Sequence, residues 1–322
     1  MRAQPFHNGH YEMFKAALNL ADTVLIILGS YKKAPDIENP WSAEQREAMI
    51  RAALTKEELE HVKFLYVRDS WYLQNLWLTS IQQLVSEATD GCDDFNICII
   101  GAENDFPQWK FFFQKNIDHM PHATTIRGLY FTHDAAYKKH VHPDVAKYME
   151  EFKSTENFKL LKGSYDYIRD YKASWDGAPF PVTFVTVDCL VVKGGHVLVV
   201  KRKGSLGKGQ LALPGGFLNQ DETVQEGALR ELKEETAIKV DKDTLRSAIK
   251  ASEVFDHPKR SLRGRIITHA FLIDLGVGAL PQVKGSDDAE KAQWLSLNEF
   301  ATRESEVFED HYHIVSHFTN KY

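Results

Sequence analysis

The chain has 322 residues, a length that accommodates two domains of ordinary size. Its hydrophobic fraction of 43% is typical of a globular protein, and its net charge of −6 gives no general attraction to nucleic acid or anionic membranes. The three cysteines include no CxxC pair and therefore predict free thiols in a reducing compartment. Because no apolar run suits a signal peptide or a spanning helix, we expect a cytoplasmic protein with neither a nucleic-acid nor a membrane partner.

The first motif lies close to the start of the chain. The segment QPFHNGH, residues 4–10, leads directly into a predicted helix over residues 11–20. Gly9 permits close approach of the backbone to a ligand, and the start of a helix presents unpaired N–H groups to an anion. The imidazoles of His7 and His10 could donate hydrogen bonds to phosphate oxygens at the same place. These features together predict a phosphate site, although a histidine pair beside a loop also occurs on surfaces without function.

After this motif, apolar runs of strand length alternate with helical patterns. Strands are predicted at 24–28, 61–67 and 95–101, and helices at 42–54 and 73–88. The first of these helices begins with a Ser42 cap, which Gln45 completes as a capping box. This alternating order implies a parallel sheet with helices on its faces.

The second half of the chain shows a different organisation. Residues 141–171 are polar and helical, and a turn-rich segment follows at 174–181. Two β-rich runs, 184–192 and 197–201, then flank a Gly-Gly turn and predict a hairpin. We therefore predict three parts: a first domain over residues 1–140, a helical linker over residues 141–178 and a second domain over residues 179–322.

The most informative segment runs from residue 216 to residue 238 and reads GFLNQDETVQEGALRELKEETAI. Glu231, Glu234 and Glu235 are spaced i, i+3 and i+4, so a helix would place them on one face. Carboxylates that face the same way repel one another unless a cation lies between them, and Mg²⁺ prefers oxygen ligands. The sequence therefore predicts a site for Mg²⁺ or Mn²⁺, and the alternative is a solvated acidic helix face.

This segment, together with Leu213-Pro214-Gly215-Gly216 before it, resembles the box of the Nudix hydrolase family. The resemblance implies that the three glutamates hold the metal, that Glu234 and Glu235 are catalytic, and that the substrate is a nucleoside diphosphate linked to another group. The family usually has glycine where Ala237 stands near the end of the helix. Because glycine relaxes a helix C-cap, we expect this departure to affect the following loop more than the metal chemistry.

The first half resembles the nucleotidyltransferase superfamily, whose HxGH motif matches His7-Asn8-Gly9-His10, and NMN adenylyltransferases in particular. Further matches are WSAEQR at residues 41–46, a segment from Asp69 to Trp77, and TTIR at residues 124–127. The resemblance implies that His7 and His10 are catalytic. It also implies that ATP and NMN are bound by Gly9, Ser42, Arg46, Trp77, Thr125 and Arg127.

Over nearly its whole length the chain resembles the bifunctional NMN adenylyltransferase/Nudix hydrolases. This resemblance implies an α/β protein with a Rossmann-like nucleotidyltransferase domain on a parallel sheet, followed by a Nudix α/β/α sandwich on a mixed sheet. It implies synthesis of NAD and pyrophosphate from NMN and ATP, and hydrolysis of ADP-ribose to AMP and ribose 5-phosphate. ADP-ribose would be bound by Gly215, Gly216, Arg260 and Arg265, and self-association into a homo-oligomer is left open.

Two departures from the family lead to separate expectations. Only Met1-Arg2-Ala3 precede the segment QPFHNGH, where the family has a strand. Because a missing strand leaves its neighbours without ladder partners, we expect residues 1–140 to be less stable than residues 180–322. We also expect an apolar strand added upstream to restore NAD synthesis. The loop after Gly101 is shorter than in the family, and Asn104 stands where the family has lysine.

Two alternative functions remain open at this stage. In the first, only the hydrolase is active and the N-terminal domain is a scaffold. In the second, the protein is a regulator that senses ADP-ribose or NAD. The three box glutamates and the lack of a basic recognition helix are evidence against a DNA-binding sensor.

Overall fold

A computed structural model describes residues 1–92, 96–100, 112–113, 122–285 and 289–322. The chain divides into two compact units, Met1–Lys162 and Gly163–Tyr322. The division falls within a long helix, Glu156–Ala173, and inside the segment predicted as a linker. Among the described residues, no helix is both long and apolar enough to cross a membrane.

The first unit is an α/β arrangement in which helices separate short parallel strands. Its strands are β1 (Val24–Leu28), β2 (Val62–Tyr66), β3 (Ile99–Ile100) and β4 (Phe112–Phe113). Its helices are α1 (Asn8–Leu18), α2 (Ala43–Ala53), α3 (Lys56–Glu60), α4 (Gln74–Ala88), α5 (Ala123–Phe131), α6 (Pro143–Phe152) and the first part of α7 (Glu156–Ala173), with a 3₁₀ helix at Ala135–His140.

The parallel pairing predicted for this unit is confirmed. Strand β1 pairs with β2 in register, with Val24 opposite Val62 and Leu28 opposite Tyr66. Strand β3 pairs with β4 in the same sense. On the other side of β1, Gly29 N donates to the Met1 carbonyl at 3.0 Å, and Met1 N donates to the carbonyl of Ile27. These two bonds have the arrangement of a parallel ladder. Met1 therefore occupies the neighbouring strand position.

The second unit is built on one mixed sheet. The strands are β5 (Thr183–Lys193), β6 (His196–Arg202), β7 (Leu211–Ala212), β8 (Gly215–Phe217), β9 (Ile249–Phe255), β10 (Arg265–Asp274) and β11 (Ala289–Ser296). Their order is β11-β6-β5-β10-β9, and β7 and β8 pair with β6 and β5. Only the β5–β10 pair is parallel among these described pairings. The helices are the rest of α7, α8 (Val224–Thr236), α9 (Lys242–Ser247), α10 (Leu297–Thr302) and α11 (His311–Lys321), with a 3₁₀ helix at Glu304–Glu306.

The hairpin predicted in this unit is confirmed, and glycine is needed at its turn. Lys193 is opposite His196 in the ladder, which leaves Gly194 and Gly195 as the two loop residues. Their φ angles are 52° and 76°, in the region where a side chain is strained. The turn brings β5 and β6 together at the centre of the sheet, and both strands are largely buried.

Candidate active sites

The glutamates of the second unit lie on helix α8, whose start and orientation follow from its sequence. Thr223 caps the helix by accepting from Glu226 N, and the Glu226 side chain accepts from Thr223 N, which completes a capping box. The spacing of Val224, Ala228 and Leu232 predicts one buried face; Ala228 and Leu232 are buried and Val224 is partly buried. Glu231 and Glu235 border that buried face and are partly buried, whereas Glu234 is exposed.

Arg230 organises the outer part of this acidic cluster. Its Nε and Nη2 donate to the two carboxylate oxygens of Glu222 at 2.9 and 2.7 Å. Its Nη1 donates to both Glu231 and Glu234 at 2.8 Å. The hydrogen bonds from Arg230 lower the pKa of Glu222 to about 2. Arg230 therefore holds three carboxylates from two segments of the chain in a defined arrangement.

Glu235 lies deeper than the other members of the cluster. Its Oε2 accepts a hydrogen bond from Gly215 N at 3.0 Å. Burial raises the pKa of Glu235 to about 8, and repulsion from Glu231 contributes, although the Gly215 hydrogen bond opposes the change. Burial also raises the pKa of Glu231. Two neighbouring carboxylates in this condition would be stabilised as anions by a cation.

The donor set fits a hard divalent cation. The space in front of Glu231 exists because residue 216 is glycine: a Cβ there would lie 2.6 Å from the Glu231 carboxyl carbon. In the described parts of the chain, no group of three or more His, Cys, Asp or Glu side chains is already arranged as a metal shell. The bonds from Arg230 account for this, because they direct one oxygen of Glu231 and one of Glu234 toward its guanidinium.

The two arginines predicted to bind ADP-ribose are placed differently. Arg260 is 3% exposed and forms a two-pronged ion pair with Asp310, with Nε–Oδ2 and Nη2–Oδ1 distances of 2.9 and 3.0 Å. Arg265 is the first residue of β10, and its side chain is 37% exposed. Its guanidinium donates to the backbone carbonyl and to the carboxylate of Asp256. The donors of Arg260 are thus directed into the protein, whereas the guanidinium of Arg265 reaches the surface.

Several buried polar residues of the second unit were not found by the sequence reasoning. Asp188 lies in the middle of β5 and is 5% exposed, and Asp310 and His311 at the start of α11 are equally enclosed. An aspartate inside the apolar run VTVDCLVV was a usable signal. Asp310 and His311 had no such signal in the sequence. Their contacts depend on the fold, which brings His311 to Leu213, 98 positions earlier in the chain.

In the first unit, the histidines of the HxGH motif lie together at the start of α1. The rings of His7 and His10 stack with centroids 3.7 Å apart. Burial lowers the pKa of His7 to about 4, and repulsion from His122 and Arg127 adds to the effect. Burial and the neighbouring His7 lower the pKa of His10 as well. Both imidazoles are therefore neutral at neutral pH and can each donate one N–H to a phosphate oxygen.

Arg46 and Arg127, predicted to contact nucleotides, hold the backbone around this motif. The guanidinium of Arg46 is fully buried and donates to the carbonyls of Arg2, Gly29 and Ser42. Arg127 donates through Nη1 to the carbonyl of Gln4 at 2.7 Å and through Nη2 to Thr124 at 3.3 Å. These bonds fix the chain immediately before the HxGH loop.

The remaining predicted residues occupy mixed environments. Ser42 is exposed and caps α2 by accepting from Gln45 N, so the predicted capping box is present. Thr125 is exposed in the first turn of α5, and Gly9 is buried in the first turn of α1. Trp77 packs against a small apolar core cluster. Near it, a cavity of about 510 Å³ is lined by Trp71, Tyr72, Leu73, Asn75 and Leu76. Asn104 and the loop after Gly101 lie outside the described residues.

Comparison with known proteins assigns both halves. The cytidylyltransferase-like family matches residues 2–157, and the NUDIX domain matches residues 182–318. The solved structure of a bifunctional NMN adenylyltransferase/ADP ribose pyrophosphatase from Francisella tularensis, complexed with AMP and a Mn ion, is 32% identical. The match covers 100% of this chain and 97% of the Francisella chain, with a TM-score of 0.94.

Two curated relatives each match one half. An ADP-ribose pyrophosphatase of Methanocaldococcus jannaschii is 39% identical over 114 residues, which are 35% of this chain and 62% of that protein. A nicotinamide/nicotinic acid mononucleotide adenylyltransferase of Acinetobacter baylyi is 27% identical over 173 residues, which are 51% of this chain and 89% of that protein.

Fold and sites together define a two-domain enzyme in which a nucleotidyltransferase domain on a parallel sheet precedes a Nudix domain on a mixed sheet. More specifically, the chain belongs to the family of bifunctional NMN adenylyltransferase/ADP-ribose pyrophosphatases. The resemblance and the fold class inferred from the sequence are confirmed.

Proposed function

We propose that the second unit hydrolyses ADP-ribose to AMP and ribose 5-phosphate, with Mg²⁺ or Mn²⁺ held by Glu231, Glu234 and Glu235. The observation that carries this proposal is the placement of Glu231 and Glu235 against the Gly215-Gly216 backbone, where a Cβ on residue 216 would meet the Glu231 carboxylate and burial raises the pKa of both glutamates. A bound divalent cation would polarise a phosphoryl oxygen and lower the pKa of the attacking water.

The residues of the chain supply the positions for this reaction. Arg230 holds Glu231 and Glu234, and Gly215 N holds Glu235. Arg265 is the exposed cation of the predicted ADP-ribose set and is suited to an anionic diphosphate. Water adds to one phosphorus, the bond from that phosphorus to the bridging oxygen breaks, and the second phosphate leaves with that oxygen. The buried Arg260 supports the site from behind.

We propose that the first unit transfers an adenylyl group from ATP to NMN. A phosphate oxygen of NMN attacks the α-phosphorus, pyrophosphate leaves, and no covalent intermediate with the protein forms. The neutral imidazoles of His7 and His10 and the N–H groups at the start of α1 donate to phosphate oxygens. Arg46 and Arg127 keep the loop in place through its carbonyls, and the exposed Thr125 is available to the nucleotide.

The proposal also covers the ligands of the enzyme and the compartment in which it works. We propose that its partners are small nucleotides, namely ATP, NMN, NAD and ADP-ribose, and that it works in the cytoplasm. The described cysteines Cys92, Cys98 and Cys189 are free thiols, in keeping with a reducing compartment.

Crossed variants of the full chain test both activities. Glu235→Gln removes a metal ligand without a change of size, and we expect it to lower ADP-ribose hydrolysis by roughly 100-fold or more, since even changes behind the ligands cost about 10–100-fold. NAD synthesis from NMN and ATP should remain. His10→Ala should abolish NAD synthesis and leave hydrolysis intact. Both rates are measured at saturating Mg²⁺, and again with EDTA for hydrolysis.

The outcomes separate the alternatives. Hydrolysis without NAD synthesis in the unmodified chain would support an active hydrolase on a scaffold. Binding of ADP-ribose without turnover would support a sensor. Loss of both activities in His10→Ala would mean that the change unfolds the chain or that one site performs all the chemistry.

A further inference from the structure

A buried polar network lies behind the Nudix box, on the side of Gly215 that faces away from solvent. We call it the Asp188 network. Its members are at most 6% exposed, and they come from β5, the loop before β10, β10 itself and the start of α11. The members are Asp188, Arg260, Thr268, Asp310 and His311.

The described contacts within the network are three hydrogen bonds and two longer charge contacts to Asp188. Arg260 donates through Nε and Nη2 to the two carboxylate oxygens of Asp310. The Nη2 atom of Arg260 also lies 3.8 Å from Asp188 Oδ2. Thr268 donates its hydroxyl to Asp188 Oδ2 at 2.6 Å. The Nε2 atom of His311 lies 3.9 Å from Asp188 Oδ1. Charged and polar side chains from separate elements thus hold one another in a fixed arrangement.

The network ends on the backbone of residues 213–215, immediately before the Nudix box. Leu213 N donates to His311 Nδ1 at 2.9 Å, so the ring accepts at Nδ1 and carries its proton at Nε2, toward Asp188. A Cβ on Gly215 would meet Asp188 Oδ1 at 2.6 Å, so the turn is packed directly against that carboxylate. Two residues after Leu213, Gly215 N donates to Glu235. One short turn therefore connects His311 with the enclosed carboxylate of the box.

Buried ion pairs are a weak source of stability, because the cost of removing charges from water offsets much of their attraction. A network that encloses two carboxylates and one guanidinium is therefore better explained by the geometry it enforces. The same backbone is held from β5 by Cys189 N, which donates to the Pro214 carbonyl at 2.8 Å. This bond fixes the peptide after Pro214, while His311 fixes the amide of Leu213.

We propose that His311, enclosed beside Asp188, Asp310 and Arg260, is a positioning residue that fixes the segment 213–215 through its bond from Leu213 N, and through that segment the carboxylate of Glu235. This inference rests on the proposed ADP-ribose hydrolysis for its kinetic consequence. Its geometric consequence concerns the metal-binding carboxylate and can be measured separately.

The experiment compares two substitutions of His311 in the full chain. His311→Leu removes the acceptor for Leu213 N, whereas His311→Asn keeps an acceptor close to the place of Nδ1. We expect His311→Leu to lower kcat for ADP-ribose by about 10–100-fold with a smaller change in KM, and to weaken Mn²⁺ binding about tenfold. His311→Asn should recover most of both. Mn²⁺ binding is followed by the paramagnetic resonance of the free ion.

The matched control is His317→Leu on the same helix. His317 contacts Glu253 at 2.9 Å, on β9 and away from the box, so its loss should leave kcat and Mn²⁺ affinity unchanged. Thermal unfolding of every variant serves as the measure of a folded second unit, because NAD synthesis reports on the first unit alone.

Three results would decide against the inference. These are unchanged kcat and Mn²⁺ affinity in His311→Leu, equal damage in His311→Leu and His311→Asn, or equal damage in the His317 control. If the unmodified chain fails to hydrolyse ADP-ribose, the proposed function is wrong. The Mn²⁺ comparison then tests the positioning role alone, because weaker binding in His311→Leu and recovery in His311→Asn would still support it.

Discussion

The two sites of this enzyme handle buried charge in opposite ways. In the first unit the enclosed side chains at the motif are neutral histidines, and the buried cation Arg46 is satisfied by backbone carbonyls. In the second unit the enclosed groups are the carboxylates of Glu231, which contacts Arg230, and Glu235, which accepts from Gly215 N, and burial raises the pKa of both. Under the proposed functions, the first site would present donors to phosphate directly, whereas the second would need a cation between its carboxylates and an anionic substrate.

The two sites share one feature, which is a buried arginine bonded to groups inside the protein. Arg46, Arg127 and Arg260 were all predicted to touch nucleotides, and each directs its donors to groups inside the protein. A buried guanidinium has several donors in a fixed fork, so it can fix two or three backbone or carboxylate oxygens at once. Arg46 and Arg127 thereby fix the backbone next to the HxGH motif.

The largest expected effect on activity comes from substitution of Gly216, whose backbone lies against the Glu231 carboxylate. In Gly216→Ala, the new Cβ would meet the Glu231 carboxylate, which is the mobile end of a side chain and can move away. We expect ADP-ribose hydrolysis to fall about 100-fold while thermal stability and NAD synthesis remain close to those of the unmodified chain. Unchanged hydrolysis would show that the position of Glu231 does not limit the reaction.

Gly215→Ala is the matched control for that substitution. Here the new Cβ would lie 2.1 Å from the Val187 carbonyl oxygen of β5, and a strand backbone cannot move away. We expect a loss of about 3 kcal/mol or more in the free energy of unfolding of the second unit, at the upper end of overpacking costs. Urea unfolding compares the two variants. Equal stabilities would contradict the distinction drawn between backbone and side-chain neighbours.

A smaller effect concerns acid and the first site. The pKa of His7 lies at about 4, below its ordinary value of 6.5, so the unfolded chain takes up this proton at higher pH than the folded chain does. The stability from the neutral ring is therefore fully present above about pH 6.5 and declines toward pH 4. The unmodified protein loses free energy of unfolding when the pH falls from 7.5 to 5. In His7→Gln this loss should be smaller by about 1–2 kcal/mol, after allowance for the partial exposure of the ring. Urea unfolding at both pH values measures the difference. A similar loss in both proteins would remove His7 as its source.

The smallest effect is at the end of the box helix, where Ala237 has φ 44° and ψ 31°. This left-handed conformation strains a residue with a Cβ, so Ala237→Gly should stabilise the second unit by about 0.5–1 kcal/mol without changing either activity. Ala52→Gly, at an exposed position of α2, should instead destabilise by about the same amount. Thermal unfolding compares the two. Destabilisation by both would mean that the C-cap is not strained.

The sequence by itself determined much of this protein. The strand at 24–28, the helix after Ser42, the Gly-Gly hairpin and the orientation of α8 all follow from short-range patterns, since caps, turns and hydrophobic periodicity act over a few residues. The acidic face of α8 was predictable for the same reason, because i, i+3 and i+4 spacing fixes which side chains share a face.

Tertiary structure alone decided how each charge is satisfied. Arg230 could be expected to pair along its helix, but its bonds to Glu222 required the turn before α8 to fold back on it. Asp188, Asp310 and His311 come from distant parts of the chain and meet only when β5, β10 and α11 pack together. Burial then sets the pKa values of Glu235 and His7, because the cost of enclosing a charge depends on everything around it and on no local spacing.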